Sequence, residues 1–582
     1  MNKDRKQKTE DGRQYSESPA KVSGPPYPSS VVCLLMFVAS AAMLTVIQAP
    51  INLALLAWVA YVPFIIACSP KAGTRQLIYV TFIISLLYWL GNLYWVAPIT
   101  IIGWIAMCLY LAVLWPLLAL CLRYCRKKKV PLFLASAVLI VGVEQMQGLF
   151  LGGFYWRFLA HSQYQNITII QIADIFGAGG VSFLVAMVNG LLAELIIAAC
   201  EKKILRPVQF LKVFIVIAAI TASFFYGRWR ISQESECIRP GPVAASLQSN
   251  VPQSVKRTFE SSDVLFNDLM AQSNAAAAAG AWLIVWPETM VQAILDRDTW
   301  PFLESTDEYR AFNKQLMDHA KNTAYILVGA YGAKIELHNS EYYLEKYNSA
   351  FLYGPDGRLA PEKYDKIHLV PFSEALPFRK SIPWLYNFLM KFTPYNYDYS
   401  LDYGSKYTVF NMTGDPNREI PDYKFSVMIC YEGTIPYIAR EFALDENGKK
   451  QIDWIVNISN DGWFVRFKDD KVIPSTELPQ HAAICAFRAV ENRLAVLRSV
   501  NTGISCLIDS YGRIRNGFSA GTLPSEAMDR MGVSGWFIDT IPIDTRTAFF
   551  SKYGQWLNFS CELCVLSMII LSLLARFVRF KR

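Results

Sequence analysis

The sequence predicts a membrane α-helical bundle of eight spans, seven followed by one, with an α+β domain inserted before the last. Three observations predict it. Hydrophobic residues make up 53% of the chain and charged residues only 18%, a balance that suits a protein partly solvated by lipid. The apolar residues are segregated into stretches of about 20, the length that crosses a hydrocarbon core. Between the seventh and eighth stretches the pattern changes to short β-rich runs separated by turn residues and amphipathic segments.

Residues 1–30 are polar and contain Gly24, Pro25, Pro26 and Pro28, which reads as a disordered cytoplasmic tail. The bundle, residues 31–227, has its spans near 31–49, 51–68, 77–97, 99–122, 131–152, 176–200 and 208–226. The first is an uncleaved span rather than a signal peptide, because its charged lead is too long and six more spans follow. Basic residues collect at alternate ends: Lys3, Arg5, Lys6, Lys8, Arg13 and Lys21; Lys71 and Arg75; Arg123, Arg126, Lys127, Lys128 and Lys129; Lys202, Lys203 and Arg206; and Arg576, Arg579, Lys581 and Arg582. By the positive-inside rule both termini are cytoplasmic, and residues 228–555 lie outside. Residues 556–582 hold the last span and a basic tail. Glu144 and Glu194 fall within spans, where a carboxylate either serves function or pairs between helices; pairing is the plainer reading of both.

In the outer domain the strand candidates are Pro242–Leu247, Trp282–Trp286, Ala324–Ala330, Ser349–Tyr353, Lys424–Ile429, Trp454–Ile458, Ala495–Ser499 and Ile504–Asp509. Gly354-Pro-Asp-Gly357 and Ser510-Tyr-Gly512 read as turns between paired strands. Helices are expected over Ser261–Ala279, Tyr309–Lys321, Ile435–Ala443 and Pro479–Asn492. Fully apolar strands alternating with helices imply sheets covered by helices.

The net charge of +8 comes largely from the loop clusters and calls for no nucleic-acid partner. Of twelve cysteines, Cys33, Cys68, Cys108, Cys121, Cys125, Cys200, Cys561 and Cys564 lie in or beside spans, where a thiol usually serves as a small hydrophobe. Cys237, Cys430, Cys485 and Cys506 lie outside, where an oxidising exterior permits a bridge. Five histidines form no metal-ligand motif, and no metal is expected.

The residues that carry chemistry end apolar runs. Phe425-Ser-Val-Met-Ile-Cys430-Tyr-Glu432 reads as a buried strand stopping at a turn, with a helix starting near Ile435 and Pro436 in its first turn. A thiol there is expected to be exposed, with backbone N–H groups aimed at it that lower its pKa and build an oxyanion hole. The plain alternative is an inert core cysteine. Trp282-Leu-Ile-Val-Trp-Pro-Glu288 delivers a carboxylate too sheltered for an ordinary solvated strand end. Lys366 could be half of a surface charge pair with Lys363 nearby, but the continuing Ile-His-Leu-Val-Pro-Phe run argues that its segment is packed. Glu, Lys and Cys together supply a base, a cation for an oxyanion and a nucleophile.

In this order and these contexts the trio resembles the nitrilase (carbon–nitrogen hydrolase) superfamily, and with apolar spans on both sides it resembles the apolipoprotein N-acyltransferase family. The resemblance implies an α-β-β-α sandwich for the inserted domain. It also implies Glu288 as proton acceptor, Lys366 as oxyanion stabiliser and Cys430 as nucleophile, with Glu374, Tyr431, Glu432, Trp463 and Phe464 in support. Asn457-Ile-Ser-Asn-Asp461-Gly-Trp-Phe464 is similar to a family segment bordering the active site, though Val465 replaces a usual glycine and residues 466–472 are a charged insertion. Ser373 stands where the family usually has glycine before Glu374. Gln248-Ser-Asn-Val-Pro-Gln253 resembles the domain's opening motif, with Arg257 in place of an aromatic, and Gly152-Gly-Phe-Tyr-Trp-Arg157 the loop after the fifth span. The resemblance implies a bacterial inner-membrane enzyme, a membrane phospholipid as acyl donor, a diacylated apolipoprotein as acceptor and no cofactor. The competing expectation is a membrane-tethered amidase that hydrolyses a small amide; one span would suffice for that. A transporter with an external binding domain would leave Cys430 dispensable.

Overall fold

The computed structural model describes residues 30–201, 207–251, 259–338, 341–371, 373–376, 379, 381–391, 400–416, 420–468 and 471–580. Residues 1–29, Lys202, Lys203, Arg206, Arg257, Lys581 and Arg582 lie outside them. The chain combines a multi-pass helical region with an inserted α/β sheet domain. Six described helices are long and apolar enough to cross a membrane: Thr74–Asn92, Ile101–Lys127, Leu132–Leu149, Ala178–Cys200, Pro207–Ser232 and Trp556–Ala575. The second is two helices, Ile101–Ala112 and Leu114–Lys127, because Pro116 has no N–H for the Ala112 carbonyl.

The first two expected spans are shorter. Ser30–Val46 is a helix of 17 residues. Residues 51–68 form two short helices, Ala54–Trp58 and Val62–Ala67; Pro63 starts the second and cannot continue the first.

Small residues let these helices approach closely, as helices in lipid do. A Cβ on Gly142 would stand 2.7 Å from the Cys561 carbonyl oxygen, so the last helix crosses Leu132–Leu149 nearly in backbone contact. Glu194 pairs with Lys212 of the next helix and also accepts from the Leu132 amide at 3.0 Å. Glu144 accepts from the Leu159 amide at 2.6 Å, holding the loop that follows its own helix.

The inserted domain contains two larger sheets. One runs, neighbour to neighbour, Ala520–Gly521, Gly535–Asp544, Ile238–Gln248, Leu283–Val285, Tyr325–His338, Glu341–Tyr353 and Leu359–Asp365, with Val291–Ile294 paired to Tyr325–His338. The other runs Cys506–Ile508, Ala495–Val500, Trp454–Ser459, Tyr423–Ile429 and Phe410–Met412. At the centre of each, three adjacent strands are parallel, which explains their unbroken apolar runs. Leu283, Val285 and Leu327 of the first sheet share one core with Val427, Ile429 and Val456 of the second. Hydroxyls bridge the two: Ser499 Oγ lies 2.8 and 2.9 Å from the Leu247 and Val285 carbonyl oxygens and can donate to either, and Ser246 Oγ donates to the Arg498 carbonyl at 2.7 Å.

Helices Phe259–Ala278 and Asp307–Ala320 bring Phe266, Leu269, Phe312 and Leu316 against the first sheet's far side. Pro436–Ala443 and Glu477–Asn492 line the second. Every residue of Glu477–Asn492 is buried, because Ala482, Cys485 and Ala489 face the sheet while Ala483, Ile484, Phe487 and Val490 pack with the membrane bundle.

The strands Tyr325–His338 and Glu341–Tyr353 pair along their whole length, well beyond the expected Ala324–Ala330 and Ser349–Tyr353. Their added residues carry lysines and glutamates on a ribbon that extends from the core. Gly354–Gly357 turns the chain into Leu359–Asp365. Past Ser510-Tyr-Gly512, by contrast, only an isolated bridge between Ile508 and Ile514 forms. Within the 466–472 insertion, Arg466–Lys468 pairs antiparallel with Lys471–Ile473.

Candidate active site

Three chain segments bring their ends together. Leu283–Val285 continues through Trp286 and Pro287 to Glu288, Leu359–Asp365 delivers Lys366, and Tyr423–Ile429 stops at Cys430. The two strand exits are bent sharply: Thr289 has φ 47° and Cys430 φ 52°. Left-handed backbone at non-glycine residues costs of order 1–3 kcal/mol each and persists only where the surroundings impose it.

All three residues are buried, at 5%, 1% and 6% exposure. Lys366 Nζ lies 2.8 Å from one oxygen of Glu374 and 2.9 Å from the other, and 3.4 Å from Glu288 Oε1. Burial alone would depress the ammonium, but Glu374 and then Glu288 outweigh it, so its pKa lies above the ordinary lysine value and the group stays charged. Asn348 Nδ2 donates to Glu288 Oε1 at 2.6 Å and to Glu374 Oε1 at 3.1 Å, and the Asn460 amide donates to Glu288 Oε2 at 2.8 Å. Glu288 thus has both oxygens fixed.

The Cys430 thiol does not behave as expected from the turn alone. It is neither exposed nor acidified: burial, and next the Glu288 carboxylate, push its pKa well above 9.0 against the pull of Lys366. A carboxylate close by disfavours a second anion. The resting group is therefore a thiol.

Glu432 is fully buried and works as a clamp. It accepts from Tyr364 Oη at 2.9 Å, from the amides of Ile367 and His368 at 2.8 and 2.9 Å, and from the Ile429 amide at 2.8 Å. One carboxylate thereby ties the lysine segment to the cysteine turn; burial raises its pKa to about 7 although its amide donors favour the anion. Glu374 also accepts from the Val370 amide at 2.8 Å.

Tyr431 points the other way, donating to the Gly153 carbonyl at 2.7 Å, in the loop after Leu132–Leu149. His368 Nε2 lies 2.9 Å from the Gly152 carbonyl and Nδ1 2.7 Å from Tyr437 Oη. Burial, and Lys366 nearby, hold its pKa down to about 4. The neutral ring therefore donates to Gly152 and accepts from Tyr437. Gly152 and Gly153, at φ 91° and 81°, take a path closed to larger residues. Trp463 and Phe464 lie in the turn Asp461–Phe464, and the Phe464 ring meets Trp95 of the bundle edge-on at 5.1 Å. The membrane bundle thus borders the site directly.

Sequence reading missed two groups. Asn348 sits in a long strand pair that shows no local motif. Asp461, Glu477 and His481 converge although no histidine motif announces it; their ligand atoms lie within 4.8 Å of one another. This is the described group most like a metal site, but Arg498 stands 3.4 Å from Asp461 and lies with His481 among the carboxylates. A guanidinium already opposes these carboxylates, so we read the group as an ion cluster. All twelve cysteines are free.

Comparison with known proteins places these observations. Residues 40–191 match the apolipoprotein N-acyltransferase N-terminal domain and residues 243–524 the carbon-nitrogen hydrolase domain. The apolipoprotein N-acyltransferase of Geobacter metallireducens is 28% identical over 545 residues, 90% of this chain and 92% of that protein. Apolipoprotein N-acyltransferase 1 of Treponema denticola is 23% identical over 555 residues, again 90% of this chain and 92% of its own length. An amidase of known structure from Nesterenkonia sp. aligns with 53% of this chain and 94% of its own at 16% identity and a TM-score of 0.33. Carrying both domains in one chain, the protein is homologous at moderate identity to the apolipoprotein N-acyltransferases, members of the nitrilase superfamily.

Proposed function

We propose that this protein transfers an acyl chain from a membrane phospholipid, through a thioester on Cys430, to the α-amine of the diacylglyceryl-cysteine of an apolipoprotein. Glu288 takes the Cys430 proton as sulfur attacks the ester carbonyl, and Lys366 with backbone N–H groups stabilises the oxyanion. The proton returns to the departing lysophospholipid alkoxide. The amine then attacks the thioester, gives its proton to Glu288, and the thiolate leaves and is reprotonated.

The observation that carries this reading is the convergence of a buried thiol, an ammonium and a twice-anchored carboxylate at a site bordered by the membrane bundle. A soluble amide needs no such neighbour, whereas both proposed substrates carry acyl chains and approach from the bilayer. The domain architecture likewise supports acyl transfer over hydrolysis of a small amide.

The reading extends to topology: eight spans in the inner membrane, both termini cytoplasmic, and residues 228–555 forming a periplasmic α-β-β-α sandwich. Glu374, Tyr431, Glu432, Trp463 and Phe464 support the triad, the first and third by fixing Lys366 and Cys430. The test is kinetic. Two-step chemistry gives parallel double-reciprocal lines as a diacylated peptide acceptor is varied against phospholipid. Continuous release of free fatty acid, indifferent to the peptide, would make the protein a hydrolase.

A further inference from the structure

Asn348 uses only half of its side-chain amide. Nδ2 donates to Glu288 Oε1 at 2.6 Å and to Glu374 Oε1 at 3.1 Å, and the residue's own carbonyl accepts from the Lys366 amide at 2.8 Å. The two carboxylates fix which end of the amide is which, because an oxygen turned towards them would face two anions. Oδ1 is thereby turned from both. It is buried, in a residue 3% exposed, and accepts no hydrogen bond. A buried carbonyl oxygen without a donor is costly and uncommon. One that shares its amide with the contact to the proposed base suits a donor that arrives only during the reaction.

The two half-reactions differ in what they bring. A phospholipid ester has no N–H or O–H at its reacting carbonyl. The neutral α-amine of the acceptor has two N–H bonds. As its nitrogen bonds to the thioester carbon and the carbon–sulfur bond breaks, one proton passes to Glu288 and from there to the departing sulfur. The other stays on nitrogen in the amide product. An amine aligned for attack is therefore best held by two acceptors side by side, the base and a group that never takes the proton.

We propose that Asn348 Oδ1 is that second acceptor, an amine-binding group for the N–H that Glu288 does not take. One amide then serves both ends of the task. Its Nδ2 holds the base and its Oδ1 holds the nucleophile, so the separation between base and amine is set by a rigid planar group. The arrangement selects primary amines over secondary ones, because a neutral secondary amine gives its single N–H to Glu288 and has none left for Asn348.

The inference deepens the acyl-transfer reading and rests on it, and the test separates the two. Full-length enzyme is first acylated on Cys430 by phospholipid. It is then mixed with a diacylated peptide or its N-methyl analogue at pH 8, where about half of an α-amine is neutral, and discharge of Cys430 is followed by peptide mass. The parent should discharge about ten- to a hundredfold more slowly onto the N-methyl analogue, the loss expected for a hydrogen bond from nitrogen gaining positive charge. Asn348→Ala should also slow acylation, since Glu288 loses a donor, but its preference for the primary amine should largely vanish. A methyl group acting by bulk alone would leave the same preference in both enzymes. Should Asn348→Ala fail to fold, Asn348→Ser, whose shorter side chain keeps a hydroxyl donor, carries the same comparison. Equal discharge onto the two acceptors by the parent, an unchanged preference in a folded variant, or collapse of both variants would overturn the proposal. A parent enzyme that never takes an acyl chain from phospholipid would instead defeat the acyl-transfer reading.

Discussion

Replacing Lys366 with methionine should do more than remove an oxyanion donor. The ammonium is 1% exposed and stands within 2.8–3.4 Å of two carboxylates. Deleting it leaves Glu288 and Glu374 facing each other, linked by Asn348, with no cation between them. Breaking a buried pair in this way costs about 3–5 kcal/mol, and the lost donor about 10²–10³ in rate. In the parent the lysine's pKa is raised above 10.5, so its stabilisation is complete below that pH and fades only as pH climbs through the folded value. In the variant the dependence reverses. The two carboxylates would share a proton, so stability should recover as pH falls from 7 towards 5. Adding Glu374→Gln should restore stability at neutral pH without restoring turnover. Thermal melting in detergent across that range, alongside the acylation rate, reads all of this. A Lys366→Met enzyme with parent stability and parent rate would refute the reasoning.

Other outcomes follow from the same geometry. Because burial and Glu288 hold the Cys430 thiol well above 9.0, its alkylation by iodoacetamide should keep rising with pH up to at least about 9; a plateau near pH 7 would indicate a preformed thiolate. His368 has a folded pKa near 4 against 6.5 unfolded, so its contribution is present above about 6.5 and is lost as pH falls towards 4; His368→Asn should weaken the acid sensitivity of the melting temperature, and an unchanged profile would count against the Gly152 latch. A reporter after Arg582 should be cytoplasmic and one within residues 466–472 periplasmic; the reverse would put the site on the wrong face of the membrane.

The triad segments were legible because each is an apolar run that ends abruptly on a reactive residue, and a parallel strand buried on both faces leaves that trace. The remainder depends on distant partners. Gly535–Asp544, an inner strand of the first sheet beside Ile238–Gln248, was missed because Gly535 and Pro542 look like loop residues. The charges Lys334, Glu336 and Glu345 concealed the outer part of the long strand pair. Asn348, midway along it, gave no hint that it would bridge two carboxylates. The charged side chains Arg488, Glu491 and His481 gave no sign that their helix would be enclosed between sheet and bundle. The acidified thiol was expected from the turn alone, and what opposed it was burial first and then Glu288, 142 positions earlier in the chain.

The central claim is that Cys430 carries the acyl group. Incubating the full-length enzyme with phospholipid alone should add the mass of one acyl chain to the Cys430 peptide and release one equivalent of lysophospholipid. The added mass should disappear with neutral hydroxylamine and, separately, on adding a diacylated peptide, which becomes N-acylated. Acylation at another residue, or a peptide acylated at full rate by Cys430→Ala, would contradict the account.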